Sequence, residues 1–433
     1  MAKHWIKLVE KSRKVGLRIH SIGGCTEMCN VEAIVVTGST ATPVHQVLLS
    51  IRSENSWVMK KLVEVLHTAI QKGDIAEVEK IISSAQDLSI SGDELGKQLH
   101  AKELCEKSNP RSGDRAIHLA ARQGHITIIR WLHNKGVDLE SANLDGKRSL
   151  HEASAMGNLD CVDYLLEQGV MVDPLKRADW TPLHLACTKP KLDVVKSLIH
   201  AGANPKLCNK DGWNAFHIAS REGHVDILNF LLESSMDLWN TVSKNGRTPL
   251  HTAALHGCVA AVEMMMDRCN FQTDEQDSCG STPLMDSLRA GHVDVSEILI
   301  GRHKADVEKT DVLGRQPIHL IAQAGSLKSV EFLAKRYKIS LDTTTSTGGL
   351  SPMHLAAKEG QVEVIEALIT LGADINITDN KGRTALHIAA GSQKASCVGA
   401  LLQHNAKMMR DESGRLPKDL AQQEDVVLLF DGS

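Results

Sequence analysis

Three residue types in this sequence have the chemistry and the spacing to form a site. Histidine is the first: there are 21 in 433 residues. Imidazole is a common metal ligand and general base. Cysteine is the second, with ten residues able to supply thiolates or metal ligands. The third is lysine set among tryptophans. Lys176, Lys210 and Lys244 lie close in sequence to Trp180 and Trp213, with Arg177 and Arg247 beside them. A deprotonated amine attacks activated carbonyl carbons.

Spacing decides against the first two. Nine histidines (67, 118, 151, 184, 217, 251, 319, 354 and 387) occupy one recurring position. The blocks read RAIHLAA, RSLHEAS, TPLHLAC, NAFHIAS, TPLHTAA, QPIHLIA, SPMHLAA and TALHIAA, and Met285 takes the histidine place in STPLMDS. From His118 to His387 the steps are 33, 33, 33, 34, 34, 34, 35 and 33 residues. Side chains repeated at a constant period sit on equivalent points of successive elements instead of converging on one ion, so these histidines read as structural. Cysteines are scattered, several inside apolar helical stretches such as Leu185-Ala186-Cys187, and read as reduced. Cys25-x-x-x-Cys29 lacks the second pair of a zinc site. No phosphate-cradling glycine loop or Gly-x-Ser-x-Gly elbow occurs. No catalytic residue, metal or cofactor is assigned, and a conventional enzyme is not expected.

The elements that carry these residues follow from one unit. In Arg247-Thr248-Pro249-Leu250-His251, Thr248 suits an N-cap and Pro249 the first helical position. Small residues follow, so neighbouring helices can approach. A glycine six places after the histidine (Gly124, Gly157, Gly223, Gly257, Gly291, Gly360) suits a left-handed helix end. A second helix then shows apolar residues three and four apart, as in Val225–Leu232. One pair cannot bury its own apolar face; stacked neighbours can.

This pattern of T-P-L-H-x-A-A, Gly-His and L-L-x-x-G-A-D at a 33-residue step resembles the ankyrin-repeat family. The resemblance implies an all-α solenoid of about ten stacked helix-turn-helix units, caps included. Residues 59–110 would form an N-terminal cap and loop, 111–410 nine repeats, and 411–433 a C-terminal cap. Residues 1–58 carry no repeat and read as a largely unstructured leader. They hold a net charge of +3 in a chain of −4, and Met59 stands as an alternative start.

Composition narrows the function. Aromatics are 3% of residues and hydrophobics 42%, so the core is aliphatic. A net charge of −4 argues against direct nucleic-acid binding by bulk electrostatics. No apolar run is long enough to span a membrane. What remains is a variable surface for a protein partner. Four residues before the histidine stand Lys147, Trp180, Trp213 and Arg247. Tryptophan and arginine are enriched in binding hot spots. Seven residues before it stand Arg177, Lys210 and Lys244, with Lys176 adjacent. We expect Lys147, Trp180, Trp213, Arg247 and Arg177 to bind the partner. The competing reading has the indoles packed locally and the lysines simply solvated.

Several stretches go beyond the generic repeat: Asp145–Ala153, Lys176–Leu183, Asn209–Asn214 and Phe216–Gly223. They resemble a member of the family that binds alanyl-tRNA synthetase and limits serine mischarging by accepting misactivated serine on lysine side chains. Of the three acceptor positions that this resemblance implies, Lys210 carries over directly. Arg177 and Asn240 occupy the other two, so Lys176 and Lys244 are the substitute candidates. The resemblance implies a monomer working in the cytoplasm, with entry to the nucleus left open. The alternative is a general adaptor with a different partner.

Overall fold

The computed structural model describes residues 18–21, 34–37, 56–89 and 101–431. The expected unstructured leader, residues 1–58, therefore lies outside the described residues, except for two four-residue strands and residues 56–58, which open the first helix. Arg18–Ser21 and Ile34–Thr37 pair antiparallel, with Arg18 opposite Thr37. The remainder is helical. It divides into two compact units, Met1–Asn204 and Pro205–Ser433.

In the first unit, a long helix Ser56–Lys72 and a second, Ile75–Ser89, form the cap pair. Within the expected cap and loop of residues 59–110, Ala101–Glu106 is a further helical piece after the cap pair. Three repeat pairs follow: Ala116–Gln123 with Ile126–Asn134, Ser149–Met156 with Leu159–Glu167, and Pro182–Ala186 with Leu192–His200. The second unit carries six pairs, from Ala215–Glu222 with Val225–Ser234 to Ala385–Gly391 with Ala395–Gln403. It ends in the 3-10 turn Pro417–Leu420 and the helix Glu424–Asp431. The turn at residues 345–350 is closed by Leu350 N–H donating to Thr345 Oγ1 at 3.0 Å.

The local reasons are those of the motif. Thr248 Oγ1 accepts from the His251 amide, and Pro249 stands at the first helical position. The short first helices carry Ala at the contact points (Ala120, Ala153, Ala219, Ala253 and Ala356, all fully buried), so backbones approach closely. The second helices supply the aliphatic mass. Leu165, Leu231 and Leu368 are fully buried, each worth about 1.5–3 kcal/mol relative to exposure.

Histidine is the joint between repeats. In His354, Nδ1 accepts from the Ser351 amide at 3.1 Å, and Nε2 meets the Arg383 carbonyl of the next repeat at 2.8 Å. The same pair of bonds holds His118 to Lys147, at 2.8 Å, and His251 to Ser281, at 2.9 Å. This geometry fixes the neutral tautomer with its proton on Nε2. Burial pushes these imidazoles below their ordinary pKa, to about 4 at His151 and His217. Among the described residues no group of three potential ligands could hold a metal ion.

Candidate functional site

Each repeat opens with a hairpin whose tip precedes the first helix. The tip is built on an Asx turn. Asn209 Oδ1 accepts from the amides of Asp211 at 2.9 Å and Trp213 at 3.0 Å. Asp277, Asp311, Asp379 and Asp411 repeat the arrangement. Adjacent tips are then tied main chain to main chain. Lys244 N–H donates to Asp211 O at 3.0 Å, and Ser278 N–H to Asn245 O at 2.9 Å. Gly212 is required here, with φ +80 and with Lys244 N only 2.7 Å from where a Cβ would stand.

This ladder brings Lys210 and Lys244 together on neighbouring tips of the second unit. Both are exposed, and neither makes an ion pair among the described residues. Trp213 sits at the base of the same hairpin. It is half-buried, stacked on the His217 imidazole at 6.3 Å with 17° between planes. Arg247 is placed differently. Its guanidinium donates to Asp277 Oδ2 at 3.1 Å and Asp286 Oδ1 at 2.9 Å, both carboxylates being buried. Its charge is spent inside the unit. Arg289 also reaches Asp286 Oδ1, and Asp286 Oδ2 has no partner. Burial raises the Asp286 carboxyl above the usual carboxylate range.

In the first unit the corresponding residues are Lys147, Lys176, Arg177 and Trp180. Lys147 Nζ lies 3.2 Å from Glu152 Oε1, and Glu152 is buried against a bidentate Arg122. Lys147 therefore belongs to an internal network, as Arg247 does. Arg177 is exposed, with a loose pairing to Asp145 at 3.8 Å. Lys176 occupies the place that Asn209 holds in its own hairpin, so this turn has no Asx anchor. In its stead Ala178 and Asp179 both adopt left-handed backbone, at φ 63 and 60. A non-glycine residue there is strained. Lys176 N–H donates to Trp180 O at 3.0 Å, and its ammonium lies 5.4 Å from the indole centroid. The Trp180 ring meets the His184 ring edge-on at 6.0 Å. Burial, and after it the charge of Lys147, holds the Lys176 amine below its ordinary pKa.

Two features escaped the reading of the sequence. The buried acids Glu152 and Asp286 directly follow the histidine place, where other repeats have Leu, Ile or Thr. A charge at an expected core position was the signal. The second is the turn Lys176–Trp180, whose lost Asx residue was legible by comparison with Asn143 and Asn209.

Comparison with known proteins agrees with this architecture. A family model described as "Ankyrin repeats (3 copies)" matches in overlapping copies from residue 66 to 430: residues 66–178, 170–241, 236–311, 260–347, 295–379, 318–412 and 353–430. Rabankyrin-5 of Mus musculus is 37% identical over 71 residues, 16% of this chain and 6% of that protein. Protein phosphatase 1 regulatory subunit 27 of Mus musculus is 36% identical over 98 residues, 22% of this chain and 63% of that protein. The nuclear factor NF-kappa-B p105 subunit of Gallus gallus is 39% identical over 54 residues, 12% of this chain and 6% of that protein. The chain thus covers less than two thirds of each of these relatives.

Proposed function

The chain belongs to the ankyrin-repeat family, and from that premise we propose that it is a non-enzymatic binding protein whose partner is alanyl-tRNA synthetase. The stretches around Lys147, Trp180 and Trp213 resemble ankyrin repeat domain-containing protein 16, and that resemblance supplies the partner. The protein takes serine misactivated by the synthetase onto its own lysines and so limits mischarging. It acts as a monomer in the cytoplasm.

The observation that supports this reading is the set of amines on the hairpins. Lys210 and Lys244 are exposed on adjacent tips, and Lys176 is held over an indole. Seryl-adenylate is a mixed anhydride. The lysine nitrogen attacks its carbonyl carbon, the bond to the phosphate oxygen breaks, AMP leaves, and the nitrogen loses a proton to give an amide. An ordinary lysine is neutral only about 0.04% of the time at pH 7. Docking supplies proximity, and the lowered pKa of Lys176 raises its neutral fraction.

The test incubates the full chain with the synthetase, serine and ATP, followed by peptide mass spectrometry. Seryl adducts are expected at Lys176, Lys210 and Lys244. Binding without adducts would leave a docking role alone. The alternative, a general adaptor, is favoured by the short matches to several otherwise different proteins. Affinity capture from lysate that recovers another stable partner and no synthetase would establish it.

A further inference from the structure

The second unit holds a cavity that the hairpin amines do not use. It measures about 560 Å³ and lies among the loops that follow the helices Val225–Ser234, Val259–Arg268 and Val293–Gly301. Trp239 and Asn240 come from the first loop, Asn270, Asp274 and Glu275 from the second, and His303 from the third. Other repeats turn here with small residues, Gly202-Ala203-Asn204 and Gly372-Ala373-Asp374. In these loops Leu238 and Phe271 are buried instead, and the Phe271 ring meets Trp239 edge-on at 5.0 Å and 70°. The indole is thereby fixed and half-buried, with the cavity against it.

The charge of the wall has one sign. Asp274 and Glu275 line it; no lysine or arginine does. Asp274 is structurally occupied, since both its oxygens accept from the Asp306 amide at 3.1 and 3.2 Å. The Glu275 carboxylate makes no ion pair among the described residues. A fixed aromatic face beside a free carboxylate and two primary amides is complementary to a flat cation with several N–H donors. A guanidinium stacks on indole and forks onto a carboxylate; an ammonium, a compact and strongly hydrated point charge, does neither as well.

We propose that this cavity receives an arginine side chain from a partner polypeptide, stacked on Trp239 and paired with Glu275, with the Asn240 and Asn270 amide oxygens taking the remaining donors. The volume admits the side chain together with adjoining main chain. The site is opposite in charge to the lysine-bearing tips and does not depend on the identity of the partner proposed for them.

The experiment uses the full chain labelled with 5-fluorotryptophan, the Trp239 resonance being assigned by its loss in Trp239→Phe. The probe is the peptide acetyl-Gly-Gly-Arg-Gly-Gly-amide, with lysine and norleucine versions as comparisons. The arginine peptide should shift the Trp239 resonance saturably and bind about fivefold or more tightly than the lysine peptide, and norleucine should leave the resonance in place. Glu275→Gln should weaken arginine binding about fivefold or more with the unfolding midpoint unchanged. Asp274 is left intact because it holds the next loop. No shift up to about 10 mM peptide, an equal response to lysine or norleucine, or undiminished binding to Glu275→Gln would each overturn the proposal.

Discussion

The Lys176 ammonium lies 5.4 Å from the centroid of the Trp180 ring, and the same two residues are joined by Lys176 N–H donating to Trp180 O at 3.0 Å. The turn between them has no Asx anchor and stores its strain at Ala178 and Asp179. An amine lifted against an indole, with Lys147 nearby, has less to gain from its proton than one in open water. Burial contributes most of that effect and Lys147 comes next.

Replacing Lys147 by Gln should therefore raise the Lys176 pKa. Less of the amine is then neutral at any given pH, and its acylation slows. Competitive labelling with acetic anhydride near pH 8, read by mass spectrometry, should show Lys176 reacting about twofold or more slowly in the variant. An unchanged rate would mean that burial alone sets its reactivity.

Arg247 was expected at the partner interface, yet its guanidinium is committed to Asp277 and Asp286. Arg247→Ala leaves two buried carboxylates with weaker compensation. We expect a loss of about 3–5 kcal/mol in urea unfolding. Partner capture, measured where the variant is still folded, should change little. A large fall in capture with unaltered stability would restore the interface role.

The double variant Trp180→Ala, Trp213→Ala asks the reverse question. Both indoles are half-buried on their repeat imidazoles. If they also meet the partner, capture should drop by about tenfold or more while unfolding stays cooperative. Loss of cooperativity alongside capture would make the rings structural only.

The joint histidines predict a pH dependence. Burial lowers His151 and His217 to about 4, against 6.5 for the free side chain. Between those values the unfolded chain takes up protons that the folded one refuses. Stability is complete above about pH 6.5 and falls as pH drops toward 4, by on the order of 3 kcal/mol for each such residue at the lower end. Denaturant midpoints measured from pH 7.5 to 4 should trace that decline; a flat profile would contradict the neutral joint.

Ala178→Gly removes a side chain from a left-handed position. Relief of strain, less the added entropy of the unfolded chain, should stabilise the first unit by about 0.5–1 kcal/mol. Thermal unfolding is the check.

Most of the helical architecture was legible because its signals are local and repeated. Thr248, Pro249, His251 and Gly257 each state a backbone requirement, and the period shows that the requirement recurs. The site was only partly legible. That Lys210 and Lys244 would be exposed on adjoining tips followed from their place in the repeat. That Lys147 and Arg247 would turn inward did not, because their partners, Glu152 and Asp286, lie in the first helices of the same and the next repeat. Such pairings need distances. The cavity beside Trp239 was missed for a different reason: three loops build it, none of them distinctive alone.

The histidine joint has one further consequence. Its acceptor in the next repeat is a main-chain carbonyl, supplied by Lys147, Trp180, Arg247, Ser281 and Arg383 alike. Since the bond is blind to the side chain of the residue that offers it, mutation could rewrite that side chain without loosening the seam. Where that side chain has no second task, unlike Arg247 and Lys147 with their buried acids, drift is cheap, and novelty in what the protein grips can accumulate there while the masonry stays the same.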